Sequence, residues 1–326
     1  MQYDLFNGDA DGICALHLLR LAQPCVDSRL VTGVKRDNQL VGKLFHELGS
    51  GLGPEDSVAV LDVSLDKNRD DLLTLLARGC RVFFVDHHYA GDIPRHQNLT
   101  IQIDCSADVC TSILIDRLQD GRHRAWAVAA AFGDNLHGPA RVLASGLGLD
   151  ETRTSQLREL GELMNYNGYG ETVADLHVPP DELYRAVRPY ADPFAFLQAS
   201  SMIGRLREGF QQDMAEANRH PSIRPCRQGR MYEFPAEKWA KRVAGVFSNE
   251  KAREKPDLAH ALVVDNGDGT YLVSVRAPLS RKTGADVLCR QFPTGGGRAA
   301  AAGINALPAE MLERFVDSFC QVFAKS

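Results

Sequence analysis

The sequence predicts an α/β protein, with an N-terminal doubly wound, mainly parallel sheet and a smaller C-terminal α+β domain. Three observations lead there. Short, continuously apolar runs alternate with helical patterns through residues 1–135, as expected when strands are buried on both faces of a parallel sheet by crossover helices. From about Met231 the pattern changes to paired strands joined by a tight turn. The length of 326 residues exceeds what a single core usually organises, so two domains are expected.

Taken in order, Tyr3–Phe6 reads as the first strand. Gly12–Ala22 reads as a helix with apolar positions at Ile13, Leu16, Leu19 and Leu21. Ser57–Val63 is a buried strand, Lys67–Arg78 a helix and Arg81–Asp86 another buried strand, with helices following at Val109–Leu118 and His123–Phe132. Residues 139–190 are polar and helical, interrupted by Asn165-Tyr166-Asn167-Gly168-Tyr169-Gly170 and by Pro179-Pro180. Pro193–Asn218 carries Phe196, Ala199, Ile203, Leu206, Phe210 and Met214 at helical spacing, which predicts one long helix. Pro221 and Pro225 end it. Residues 1–190 are therefore the first domain, 191–230 the linker helix and connection, and 231–326 the second domain. In that second domain, Ala259–Asp265 and Tyr271–Arg276 are strands joined by Asn266-Gly267-Asp268-Gly269, a strong hairpin signal. A helix near Gly284–Gln291, a glycine-rich loop at Gly295-Gly296-Gly297 and a last helix over Ala309–Phe323 complete the chain.

Hydrophobic residues at 44% and charged residues at 24% place the chain among soluble globular proteins. A net charge of −5 argues against a partner such as long nucleic acid, whose binders usually carry an overall basic balance. A short anionic substrate stays open, because a metal can supply positive charge locally. The N-terminus lacks the basic start and apolar stretch of a signal peptide, and no run of about 18 apolar residues occurs, so a cytoplasmic protein without membrane contact is expected. The eight cysteines are scattered without a CxxC pair, which favours reduced thiols over disulfides or zinc. A homodimer is left open.

Four acidic motifs carry chemistry. Asn7-Gly8-Asp9-Ala10-Asp11-Gly12 follows the first strand; two carboxylates on a tight glycine turn suit a hard divalent cation, and equally serve to cap the next helix. Asp62 ends an apolar strand, where a carboxylate needs a partner. Asp86-His87-His88 ends the next strand, and imidazole is a common transition-metal ligand. Asp134 closes an apolar helix. Taken singly, each has an ordinary structural reading as a cap or a surface polar group. Together they fall at the ends of successive strands, where a parallel sheet gathers them on one edge, and mutually repelling carboxylates there call for bound cations.

Asp9-Ala10-Asp11, Asp62, Asp86-His87-His88 and Asp134, in this order, resemble the motifs of the DHH phosphoesterase superfamily. Val273-Ser274-Val275-Arg276 and the run from Gly295 through Arg298 to Gly303 resemble its DHHA1 substrate-binding domain, so the resemblance spans nearly the whole chain. It implies two manganese ions (magnesium being an alternative) held about 3.5–4 Å apart, with water attacking phosphorus. Carried over by position, Asp9 and Asp62 hold one metal, and Asp11, Asp62, His87 and Asp134 the other, with Asp62 bridging. Asp86 orients the histidine pair and His88 faces the substrate phosphate.

Two departures from the family pattern are visible. Asn7 stands where relatives usually have a histidine or aspartate as a first-metal ligand. Arg298 stands where the glycine-rich motif usually ends in histidine, although a guanidinium fork still grips phosphate. With Arg276 and Gly295, Gly296 and Gly297 it forms the expected anion-binding element, near the further basic residues Arg281, Lys282 and Arg290. The resemblance implies hydrolysis of short nucleotides (pGpG, nanoRNA or pAp) to mononucleotides. The alternatives are a RecJ-like single-strand exonuclease, which usually carries additional nucleic-acid-binding domains, and a catalytically weak nucleotide-binding regulator.

Overall fold

The apolar runs form the centre of a five-stranded, all-parallel sheet in the computed structural model, which describes residues 1–49 and 51–324. Its strands are β1 (Gln2–Phe6), β2 (Arg29–Val31), β3 (Ser57–Leu61), β4 (Arg81–Asp86) and β5 (Leu99–Ile103), in the order β2-β1-β3-β4-β5. The chain divides into two units, Met1–Glu208 and Gly209–Ser326.

In the first unit the helices are α1 (Ala10–Ala22), α2 (Leu40–Leu48), α3 (Leu65–Ala77), α4 (Thr111–Leu118) and α5 (Arg124–Gly133). Leu40, Val41 and Leu44 of α2 and Leu65, Leu72, Leu75 and Leu76 of α3 bury against Leu5, Val58, Val60 and Phe84 of the sheet. Helices α1, α4 and α5 pack on one another, with α1 against β1 and β3 and α4 against β4. Burial on both faces is why the centres of β3 (Val58–Leu61) and β4 (Val82–Val85) read as unbroken apolar segments.

Further along the chain are α6 (His137–Gly146), α7 (Glu151–Asn167), α8 (Pro180–Val187), α9 (Pro193–Ala199) and α10 (Ser201–Ala217), the last of which contains the boundary between the units. The single helix predicted over Pro193–Asn218 is therefore two. Ser200 has an extended backbone, with φ −86° and ψ 121°, and its Oγ accepts from the N–H of Met202 at 3.3 Å. The apolar spacing runs on across this break, so periodicity alone did not reveal it.

His17 on α1 is buried edge-on against Trp126, and its Nε2–H donates to the Tyr190 carbonyl at 2.8 Å. Burial lowers its pKa to about 4. Between pH 6.5 and 4 the unfolded chain thus binds a proton that the folded one refuses. The neutral ring's contribution is fully present above the unfolded value and is lost as pH falls through that window, amounting to about 3 kcal/mol. Urea melts at pH 7 and pH 4.5 are expected to show this loss, and His17→Gln is expected to flatten it.

The second unit holds a mixed six-stranded sheet. Its strands are β6 (Ile223–Cys226), β7 (Gly229–Phe234), β8 (Ala259–Asp265), β9 (Thr270–Arg276), β10 (Gly295–Gly297) and β11 (Ala301–Pro308), ordered β10-β11-β9-β8-β7-β6. Only β7 and β8 are parallel, joined through α11 (Lys238–Glu254). The predicted hairpin is present, with the Asn266 N–H donating to Thr270 O at 3.0 Å. Helix α12 is short (Ala285–Cys289), and α13 (Leu312–Ala324) buries Phe315, Phe319 and Phe323, spaced every fourth residue, in the core of this unit. All eight cysteines are free thiols, Cys14, Cys80, Cys110 and Cys289 buried and Cys105 exposed. Among the described residues no helix is long and apolar enough to cross a membrane.

Candidate metal centre

The strand order of the first sheet reverses between β1 and β3, and open α/β sheets bind ligands in the crevice beyond the carboxyl ends at such a switch point. Asn7, Gly8 and Asp9 follow β1 there, Asp62 follows β3, and Asp86, His87 and His88 end β4. The turn after β1 is tight: a Cβ on Gly8 would lie 1.9 Å from the Gly33 carbonyl oxygen and 2.7 Å from Pro180 Cγ.

Asp62 has φ +58°, in the left-handed region that aspartate, asparagine and glycine tolerate best. Its N–H donates to Val85 O at 3.1 Å, and its buried carboxylate accepts from Thr111 Oγ at 3.2 Å. His87 Nδ1 sits 2.9 Å from the Val109 carbonyl. A carbonyl only accepts, so Nδ1 carries the proton and the Nε2 lone pair is left for another partner. That nitrogen lies 3.5 Å from Asp62 Oδ1 and 3.7 Å from Asp134 Oδ2. Among the described residues, Asp62, His87 and His88 form one group whose ligand atoms all fall within 4.8 Å.

His88 stacks at a tilt on His87, with ring centres 4.5 Å apart. Its Nδ1 contacts Asp86 Oδ1 at 2.7 Å. Burial favours the neutral ring, but the hydrogen bond and charge of Asp86 outweigh it and raise the pKa of His88. Asp86 itself is fully buried, and its other oxygen, Oδ2, has no hydrogen-bond partner among the described residues. Burial, reinforced by the charges of Asp11, Asp9, Asp134 and Asp86, pushes the Asp62 carboxyl well above its ordinary range. Burial raises Asp134 as well, with Asp11 and Asp9 adding to it against Lys35 and His87. Carboxylates so disfavoured as anions, beside an imidazole whose lone pair is aimed at them, fit a divalent cation. An oxygen-rich set with one imidazole suits manganese or magnesium.

The first motif behaves differently from the second and third. Asp9 caps α1, its Oδ1 accepting from the N–H groups of Asp11 and Gly12 at 3.0 and 3.1 Å. Its Oδ2 is ion-paired with Lys35 at 2.5 Å. Burial acts to raise its pKa, yet Lys35 prevails and the pKa is lowered. Asp11 accepts from the backbone N–H groups of Thr111 and Ser112 at 2.7 and 2.8 Å, which caps α4 from a hundred residues away. Asn7 Oδ1 accepts from the Asp9 N–H at 3.3 Å, and its Nδ2 donates to the Lys35 carbonyl at 3.1 Å. Its amide thus holds the Lys35 segment instead of facing the His87 group. Lys35, Asn165, Thr111 and Ser112 are the residues that sequence reasoning missed, and Lys35 sits in a motif-free turn between β2 and α2 that gave no signal.

In the second unit, the predicted glycine loop is the edge strand β10, paired antiparallel to β11. A turn over residues 298–301 links the two, with Arg298 and Ala301 exchanging backbone hydrogen bonds at 2.9 and 3.1 Å. A Cβ on Gly295 would lie 1.8 Å from Cys289 O, whereas one on Gly296 would meet nothing within 4 Å. Arg298 is exposed, with no ion pair among the described residues. Arg276 is engaged, donating to Asn249 Oδ1 at 2.7 Å and Ser274 Oγ at 2.9 Å.

No family model and no curated protein matches the chain. Solved structures do. A DHH-domain protein described as a member of a ribosomal-protein family aligns at a TM-score of 0.67 and 11% identity, over 98% of this chain and 85% of its own. The exonuclease RecJ bound to manganese aligns at 0.63 and 17%, over 100% and 90%. The pGpG-specific phosphodiesterase PggH of Vibrio cholerae aligns at 0.55 and 13%, over the full length of both chains. At these identities the likeness is one of fold: the chain has the architecture of DHH-domain proteins.

Proposed function

We propose that the chain is a divalent-cation-dependent phosphoesterase acting on short nucleotides such as dinucleotides, nanoRNA or pAp, with manganese as the preferred ion. The observation that carries this reading is His87, whose proton is fixed on Nδ1 by Val109 and whose Nε2 faces Asp62 and Asp134 at 3.5 and 3.7 Å. RecJ bound to manganese and the pGpG phosphodiesterase, both of this architecture, support it.

Asp62, His87 and Asp134 would hold the cation, with Asp11 at its margin. A cation held there supplies Lewis-acid polarisation of a phosphoryl oxygen. Asp86 accepts from His88 Nδ1–H and favours the protonated ring, which would present Nε2–H to an anionic oxygen of the substrate. Val109 and Thr111 keep His87 and Asp62 in register before substrate arrives. In the second unit, Arg298 offers an exposed guanidinium suited to an anionic group of a nucleotide.

The test is a hydrolysis panel of dinucleotides, longer oligomers, pAp, cyclic dinucleotides and pyrophosphate, run after chelation and after metal return. Dinucleotides or pAp are expected to turn over best, only with metal, and best with manganese. Rates that rise with oligomer length would assign the protein to the exonuclease class instead. Nucleotide binding without any metal-stimulated hydrolysis would make it a regulator. Arg298→Ala is expected to raise KM on dinucleotides by roughly one to two decades, with little change on a small chromogenic phosphodiester; equal impairment on both would remove Arg298 from substrate recognition.

A further inference from the structure

We propose that the Lys35 ammonium stands in for one of the two cations expected at this centre, so that the protein works with a single divalent ion. The inference rests on the phosphoesterase reading and concerns how the same site is charged. It starts from contacts. Lys35 Nζ lies 2.5 Å from Asp9 Oδ2, 2.8 Å from Asn165 Oδ1 and 3.5 Å from Asp134 Oδ1, and 5.5 Å from the centre of the Tyr169 ring. These are the oxygen partners a small cation would seek, and one of them, Asp9, belongs to the motif expected to hold the first metal.

The lysine is built in at three points. Its N–H donates to Gly168 O at 2.8 Å, its carbonyl accepts from Asn7 Nδ2 at 3.1 Å, and its ammonium is held as described. A second, separate observation comes from Asn7. The position where a ligand is expected is neutral, and both ends of its amide are already committed, one of them to the lysine itself. The third concerns the ligand atoms. Among the described residues, those that converge within 4.8 Å are Asp62, His87 and His88, and Asp9 is not one of them.

The charge balance is consistent. Five buried or half-buried carboxylates (Asp9, Asp11, Asp62, Asp86 and Asp134) surround the crevice, and a fixed ammonium neutralises the Asp9 side permanently. A dication placed beside it would meet a like charge at close range, with the oxygens it needs already occupied. The Asn7 and Lys35 identities thus belong to one device.

The test counts metal. Chelated wild-type protein is dialysed against manganese and the bound ion measured per chain by mass spectrometry, with the electron paramagnetic resonance spectrum recorded in parallel. One ion per chain with an uncoupled six-line spectrum is expected, and His87→Ala should reduce the count to none. Lys35→Met combined with Asn7→Asp is expected to bring the count to two, with an exchange-coupled spectrum; circular dichroism establishes that this variant is folded. Two ions in the wild type would overturn the inference while keeping the metal centre and the phosphoesterase reading. A folded double variant that stays at one ion would also overturn it. No ion at all in the wild type would overturn the inference and the phosphoesterase reading together.

Discussion

Asp62→Asn is expected to abolish metal-dependent hydrolysis and to leave a folded protein that, in chelator, melts a few degrees higher than wild type. The loss should be on the order of 10³-fold, about 4 kcal/mol of transition-state stabilisation. The Asp62 carboxylate lies 3.5 Å from the free nitrogen of His87 and is crowded by four other acids. Without metal its charge opposes folding, because burial and those neighbours disfavour the anion, so a neutral amide of the same shape relieves the strain. Asparagine is also among the few residues that keep the left-handed backbone at φ +58° without added cost. Manganese-dependent turnover at the wild-type rate in this variant would sink the assignment of the centre, and a lower melting temperature in chelator would sink the electrostatic account.

Gly8→Ala is expected to be the most damaging single-methyl change near the site, and Gly296→Ala one of the mildest. At Gly8 the added carbon would fall 1.9 Å from a backbone oxygen, that of Gly33, and no rotamer change can clear a main-chain atom. Either the Asn7–Asp9 turn or the segment before Lys35 must shift. A cost on the order of 3 kcal/mol, or roughly 5–10 °C in melting temperature, follows for a domain of this size, together with loss of the Asp9–Lys35 pairing. At Gly296 nothing lies within 4 Å and the backbone is not left-handed. Its alanine variant should therefore melt within about 0.5 kcal/mol of wild type, which frees it to report on substrate: weaker dinucleotide binding would show an anion approaching that strand closely. Wild-type stability for Gly8→Ala would mean that the turn is looser than its contacts indicate.

What the sequence disclosed follows the physics of each element. Strands β3 and β4 were legible because both faces are buried, which writes an unbroken apolar run at their centres. Strand β2 has only three residues, and β5 lies at the sheet edge with alternating Leu99, Thr100, Ile101, Gln102 and Ile103 half-buried at most, too weak a pattern against a turn-rich background. The acidic residues were legible because topology sends strand ends to one edge. Their partners were not. Nothing in the spacing of Lys35, Asn165 or Thr111 relates them to Asp9, Asp134 or Asp62; the fold alone brings them together. The same holds for the triple glycine, whose composition reads as a loop although its pairing with Gly303 and Ala302 makes it a strand.

The cap that Asp11 places on α4 has a consequence for how the protein assembles. That helix begins after Cys110, whose side chain makes no capping bond, so its first free N–H groups, on Thr111 and Ser112, are satisfied only by a carboxylate about a hundred residues earlier. An isolated segment around residues 107–120 lacks this help and is too short to hold a helix in water by itself. Closing so long a loop is entropically slow. Helix α4 therefore gains its start only when α1 has docked, and with it the Thr111 hydroxyl and the Val109 carbonyl that orient Asp62 and His87. We expect this cap to form late in folding, so that damage at Asp11 appears mainly as faster unfolding, with the folding rate little changed.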